Sequence, residues 1–164
     1  MVKDPQVILI DGPAGAGKTT LSLKMQAELN CQVVHLDYVY DGWDGAFSKA
    51  LTERLIALIT AFKSGNNFKL SVFNWEQMNF DSTRVITAGD TLIIEGVAAG
   101  QSAVRALGDQ LYWVEVEDEI GLQRVLARDG ASFESVMRRW KEREAEHFRQ
   151  ERTRDFADFI IPTA

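Results

Sequence analysis

Residues 12–19 read GPAGAGKT, a loop with glycine at its first, fourth and sixth places followed directly by lysine and threonine. Gly12, Gly17, Lys18 and Thr19 fill every fixed position of the pattern G-x-x-x-x-G-K-[ST]. This pattern restricts the chain around it. A strand must deliver the loop and a helix must leave it, because convergent backbone N–H groups and a helix N-terminus together hold an anion. Both flanks comply: the apolar run Val7 to Ile10 precedes the loop, and Leu21, Met25 and Leu29 share one helical face behind it.

The loop is therefore expected to bind a nucleoside triphosphate through Gly12, Pro13, Ala14, Gly15, Ala16, Gly17, Lys18, Thr19 and Thr20. Glycine removes the Cβ that would keep backbone from phosphate and permits positive φ. Lys18 supplies a full charge to the outer phosphates. The Thr19 hydroxyl suits Mg²⁺, which takes few protein ligands beside phosphate and water. No N-K-x-D sequence for guanine is present, so ATP is the expected nucleotide.

Beyond the loop, short apolar runs alternate with stretches of helical spacing. The runs are Val7 to Ile10, Val33 to Leu36, Lys69 to Phe73, Thr91 to Ile94, Leu111 to Val116 and Phe159 to Ile161. Helical stretches cover Lys18 to Leu29, Phe47 to Phe62, Ile120 to Arg128 and Phe133 to about Arg149. The alternation predicts an α/β fold with a mostly parallel sheet covered on both faces. The length of 164 residues suits one domain over 1–164. The last helix has an imperfect stripe of Phe133, Met137, Trp140, Glu144 and Phe148, which fits an ordinary surface helix.

In such sheets ligand chemistry gathers beyond the C-terminal ends of the strands. Two carboxylates sit there. Asp37 follows Val33 to Leu36 and is placed to take a proton from an acceptor hydroxyl. Glu95, in TLIIEG, reads as the acidic end of a strand that holds Mg²⁺ with Thr19.

The stretch HLDYVYDGWDG interleaves Tyr38, Tyr40 and Trp43 with Asp37, Asp41 and Asp44. Rings beside carboxylates suit a flat or sugar-like acceptor, with Phe73, Asn74 and Trp75 as an opposite wall. Arg124 and Arg128 lie four apart on one helical face, and guanidinium groups match phosphate oxygens in two-point contacts. A lid over about 129–151 would serve to keep water from the transferred phosphate. His35 is expected to be structural and His147 solvated.

Net charge of −6 argues against a general grip on nucleic acid. Cys31 is the only cysteine, so no disulfide can form within the chain. No apolar run approaches the roughly 20 residues of a membrane span, so a cytoplasmic protein is expected. Oligomeric state is left open.

The set GPAGAGKTTL, LDYVY, LSVFNW, LIIEG, LQRVLARD and ADFIIP, in that order, resembles the uridine kinase-like family of P-loop small-molecule kinases along nearly the whole chain. The resemblance implies a P-loop three-layer fold with five parallel strands in order 2-3-1-4-5 and a helical lid. It implies Asp37 as general base, Tyr40 in the substrate site, and Arg124 and Arg128 as lid arginines contacting ATP. Pro162 and Thr163 would border the adenine. The chain departs from the pattern on the acceptor side: only DGWDG follows the tyrosine, Phe73-Asn74 stands where the family has Tyr-Asp, and Gln77 and Met78 stand where it has a histidine. The expected activity is ATP- and Mg²⁺-dependent phosphoryl transfer to a hydroxyl of a small acceptor, a nucleoside being one candidate. A kinase of another sugar-containing metabolite, and an ATP-gated binding module without transfer, are the alternatives.

Overall fold

The computed structural model describes residues 3–164. In chain order its elements are β1 (Gln6–Asp11), α1 (Lys18–Leu29), β2 (Gln32–His35), α2 (Lys49–Lys63), β3 (Phe68–Asn74), β4 (Asn79–Ile86), β5 (Thr91–Glu95), α3 (Ser102–Arg105), β6 (Gln110–Glu115), α4 (Asp118–Asp129), α5 (Glu134–Glu151) and β7 (Phe159–Pro162). Five of the strands form one parallel sheet in the order β2-β5-β1-β6-β7. Counting only these parallel strands, the order is second, third, first, fourth, fifth, as the family resemblance implies.

The central strands are apolar at successive positions because both faces are covered. Val7 and Leu9 face the larger cluster, which includes Leu51, Leu55, Leu58 and Phe62 of α2 and Met137 and Trp140 of α5. Ile8 and Ile10 point the other way, toward Leu21 and Met25 of α1. Helix ends follow local chemistry. The Ser48 hydroxyl accepts the Leu51 N–H to cap α2, and α1 stops where Asn30 turns left-handed.

The apolar run Lys69 to Phe73 does form a strand, but it lies outside the parallel sheet. β3 pairs antiparallel with β4 as a separate hairpin. Sequence periodicity passes over β4 because most of its side chains face solvent. The turn between the two strands is set by Asn74, whose side-chain oxygen accepts the N–H groups of Glu76 and Gln77. The hairpin is tied to the sheet edge: an Arg84 guanidinium nitrogen donates to the Val33 carbonyl, and the Gln32 amide bonds both backbone groups of Thr87.

Within the segment expected to act as a lid, α5 buries Met137, Trp140 and Glu144. Phe133 stays exposed, while Phe148 meets the Trp113 ring edge-on at 4.7 Å. The inward stripe is thus carried by the middle of the helix. Among the described residues no helix is long and apolar enough to cross a membrane.

Candidate active site

Gly12, Gly15 and Gly17 have φ of 149°, 80° and 106°. At two of them the fold leaves no room for a side chain. A Cβ on Gly12 would fall 2.0 Å from the Val114 carbonyl oxygen, and one on Gly15 would fall 2.1 Å from that of Gly121 on α4. The loop is pressed between β6 and α4, and this fixes where its N–H groups point. Lys18 is buried and its ammonium donates to the Pro13 carbonyl at 2.9 Å. A neutral carbonyl is a weak partner for a cation, so phosphate can displace it.

Asp11, at the end of β1, is fully buried and ties this loop to the turn after β5. It accepts N–H groups from Gly12 (2.7 Å), Gly100 (2.8 Å) and Ala98 (3.2 Å). Burial pushes its carboxyl up to about 7, although those N–H bonds and the Lys18 charge oppose the shift. Ala98 holds φ of 80° in this turn, a left-handed geometry unusual for a residue with a Cβ. No spacing rule in the sequence marks Asp11.

Thr19 and Glu95 come together as expected. The Thr19 hydroxyl lies 3.1 Å from Glu95 Oε1, and His35 Nδ1 lies 2.6 Å from the same oxygen. Register explains this, since His35 and Glu95 are paired across β2 and β5. Among the described residues no three His, Cys, Asp or Glu side chains are grouped as a metal cage. One hydroxyl and one carboxylate fit Mg²⁺, whose remaining positions go to phosphate and water. The structural part expected of His35 therefore includes a direct contact with this carboxylate.

Asp37 stands just past β2, exposed in part to solvent yet crowded by surrounding protein. Desolvation raises its carboxyl above the ordinary range and the Glu95 charge adds to this, while Lys18, Arg128 and His35 pull it back. The Trp75 indole N–H donates to the Asp37 carbonyl at 2.6 Å, fastening the hairpin to the acid's backbone. Trp75 meets Trp43 at 5.1 Å and Phe73 at 5.3 Å, so Trp75 and Phe73 of the expected opposite wall share one aromatic cluster with Trp43; Phe73 is buried behind Trp75 and does not reach an acceptor as expected.

The other expected acceptor residues divide. Tyr38 is exposed, and Asp41 is exposed with its charge felt by Arg54 of α2. Tyr40 is buried and its hydroxyl donates to the Val97 carbonyl, while its ring meets Trp140 at 5.7 Å. Tyr40 shapes the wall from behind.

Arg124 reaches back to the loop, donating to the Gly15 carbonyl and the Thr163 hydroxyl, each at 3.2 Å. Thr163 in turn donates to the Ala16 carbonyl at 2.8 Å, so the segment after β7 borders the phosphate loop. Arg128 forks onto the carboxylate of its neighbour Asp129 through two 2.9 Å bonds, and its charge is felt at Asp37. His147 is not solvated as expected: its ring lies between Phe47 and Phe148, and burial lowers its affinity for a proton. The contact that sequence reasoning missed altogether is Glu144 of α5, 2% exposed, which accepts the Ala14 N–H at 2.6 Å.

Comparison with known proteins agrees with this geometry. The AAA domain family model matches residues 8–153. A uridine kinase from Limosilactobacillus reuteri (strain DSM 20016) is 28% identical over 183 aligned positions, spanning 98% of this chain and 84% of the relative. A cytidylate kinase from Pyrobaculum islandicum is 29% identical over 147 positions, spanning 84% of this chain and 68% of the relative. Among solved structures, one described as a possible uridine kinase from Bacillus stearothermophilus superposes with a TM-score of 0.71 at 19% identity, covering 98% of this chain and 90% of the other. The chain belongs to the AAA domain family and has the P-loop kinase fold, with uridine kinases among the proteins it is similar to.

Proposed function

We propose that this chain transfers the γ-phosphate of ATP to a hydroxyl of a small acceptor, with a nucleoside as the leading candidate. The observation that carries the reading is a chain of contacts at neighbouring strand ends: Thr19 meets Glu95, Glu95 meets His35, and Asp37 follows His35 by two residues. Lys18, at the end of the phosphate loop, lies within electrostatic reach of Asp37, a carboxylate whose raised proton affinity is tempered by the charges of Lys18 and Arg128. Transfer to a hydroxyl asks for this division between a cationic donor side and a proton-accepting side.

In this reading the loop N–H groups and Lys18 hold and neutralise the triphosphate. Thr19 and Glu95 would hold Mg²⁺, which would supply positive charge to offset that of the phosphates. Asp37 orients the acceptor hydroxyl and takes its proton. Arg128, paired in this state with the exposed Asp129, is free to exchange that partner for phosphate. Arg124 and Thr163 border the nucleotide from the other side of the loop. Trp43 and Trp75 offer the ring faces and edges that a flat acceptor stacks on, backed by the buried Phe73, with Tyr38 at the rim.

The nucleoside reading is supported by the relative named as a uridine kinase and by this aromatic wall. The experiment is an acceptor panel of nucleosides, nucleoside monophosphates and small sugars, read as ADP release and as label moved from γ-labelled ATP. A phosphorylated nucleoside supports the reading. Label in a sugar alone would reassign the acceptor. No labelled product, together with ATP-dependent capture of a protein partner that survives Asp37→Asn, would favour the binding-module alternative.

A further inference from the structure

Helix α5 presents an inward stripe of Met137, Trp140 and Glu144, and only the last of these is charged. A buried carboxylate is a costly way to fill a stripe unless its charge serves something. Glu144 Oε1 accepts the Ala14 N–H at the tip of the phosphate loop, and Oε2 accepts from the Lys141 ammonium at 3.1 Å. It also lies within electrostatic reach of Lys18. The same stretch of helix grips the acceptor side. The Trp140 ring meets Tyr40, Trp43 and Phe47 at 5.7, 6.1 and 5.2 Å. Arg143 donates to the Asp44 carboxylate at 2.8 Å and to the Trp43 carbonyl at 3.3 Å. Within the five residues 140 to 144, Trp140, Arg143 and Glu144 thus hold the phosphate loop and the acceptor loop at once.

We propose that Glu144 is a positioning residue that keeps the acceptor wall in register with the phosphate loop, at the expense of affinity for the triphosphate's outer end. The inference rests on the phosphoryl-transfer reading above. The carboxylate shares the field of Lys18 with any incoming outer phosphate, and like charges there repel. Its bond to Ala14 passes any movement of the loop to Trp140 and Arg143, and through them to Trp43 and Asp44. A residue that only held the fold would weaken binding and turnover together when altered. Glu144 instead opposes ground-state binding while aligning the acceptor, so its removal moves the two in opposite directions.

Glu144→Gln keeps an oxygen for the Ala14 N–H and removes the charge, whereas Glu144→Leu removes both. The probes are Mg²⁺-AMP-PNP and Mg²⁺-ADP, titrated by calorimetry and by the native tryptophan fluorescence that Trp43, Trp75 and Trp140 supply. Glu144→Gln is expected to bind AMP-PNP about fivefold tighter with a smaller gain for ADP, since the added charge lies at the outer end. Wild type is expected to change its fluorescence on binding AMP-PNP, and Glu144→Leu to bind AMP-PNP without that change. An unchanged AMP-PNP to ADP affinity ratio in Glu144→Gln overturns the charge role, and this variant decides it even if Glu144→Leu does not fold. A wild-type fluorescence change retained in Glu144→Leu overturns the coupling. Failure of the wild type to bind either nucleotide would instead overturn the phosphoryl-transfer reading, so the two failures are distinguishable.

Discussion

The hydroxyl of Thr19 lies 3.1 Å from Glu95 Oε1, joining the first turn behind the phosphate loop to the end of the neighbouring strand. The pair are 76 residues apart in the chain and meet because β5 lies beside β1 in the sheet. With Glu95 proposed as a Mg²⁺ ligand, Glu95→Gln is expected to lower turnover by about a hundredfold or more while the chain stays folded. Steady-state rates across a Mg²⁺ titration, with circular dichroism as the control, check this. Unchanged turnover at low Mg²⁺ would remove Glu95 from the metal site.

Asp37→Asn should cut transfer by about 10²–10⁴-fold and leave triphosphate affinity within about threefold. Because the Asp37 carboxyl is raised by its surroundings, wild-type kcat/KM should rise with pH through a point above the ordinary aspartate range. Arg128 holds that point down. In Arg128→Ala the acid limb should therefore move to higher pH, whatever happens to the maximal rate. A limb that stays in place would mean that another group is titrating.

Asp11 gives stability its own pH dependence. The folded chain holds this proton up to about pH 7, whereas an unfolded aspartate releases it near 3.8. The folded state binds more protons between those values, so stability falls as pH rises through that window and levels off above it. Urea midpoints measured from pH 4 to 8 check the slope. Asp11→Asn should flatten it, and an equal slope in the variant would contradict the assignment.

Much of this site was legible in the sequence for a simple reason: its parts are local. A glycine pattern of eight residues and acids at the ends of apolar runs carry their geometry with them, and both Thr19 and Glu95 were found that way. Contacts between distant elements carry no such mark. Glu144 sits in a helix rich in Glu and Arg, where one buried carboxylate looks like its solvated neighbours. The hairpin strand β4 was missed because NFDSTRVI faces solvent along most of its length and leaves almost no apolar alternation to read. Tyr40 was read from its neighbours as a contact residue, yet its hydroxyl is spent on Val97.

Gly15→Ala tests how tightly the loop is clamped. The new methyl would meet the Gly121 carbonyl at 2.1 Å in a backbone with φ of 80°. Neither backbone can yield without moving α4 or the loop. A loss of about 1–3 kcal/mol in stability and of most nucleotide affinity is expected. Gly65→Ala is the contrast: it also has positive φ, but nothing lies within 4 Å of a Cβ there, so nucleotide affinity should be unchanged. Equal nucleotide affinity in the two variants would show that the clamp does not shape the loop.

The outermost phosphate of ATP is proposed to leave to a hydroxyl beside Asp37. Incubation of wild type and Asp37→Asn with γ-labelled ATP, Mg²⁺ and each nucleoside in turn, with products separated and identified by mass, tests it most directly. The expected result is a singly phosphorylated nucleoside made by wild type and all but lost in Asp37→Asn, with ATP bound by both. Labelled product formed equally well by the two proteins, or label appearing only as inorganic phosphate across the whole panel, would contradict it.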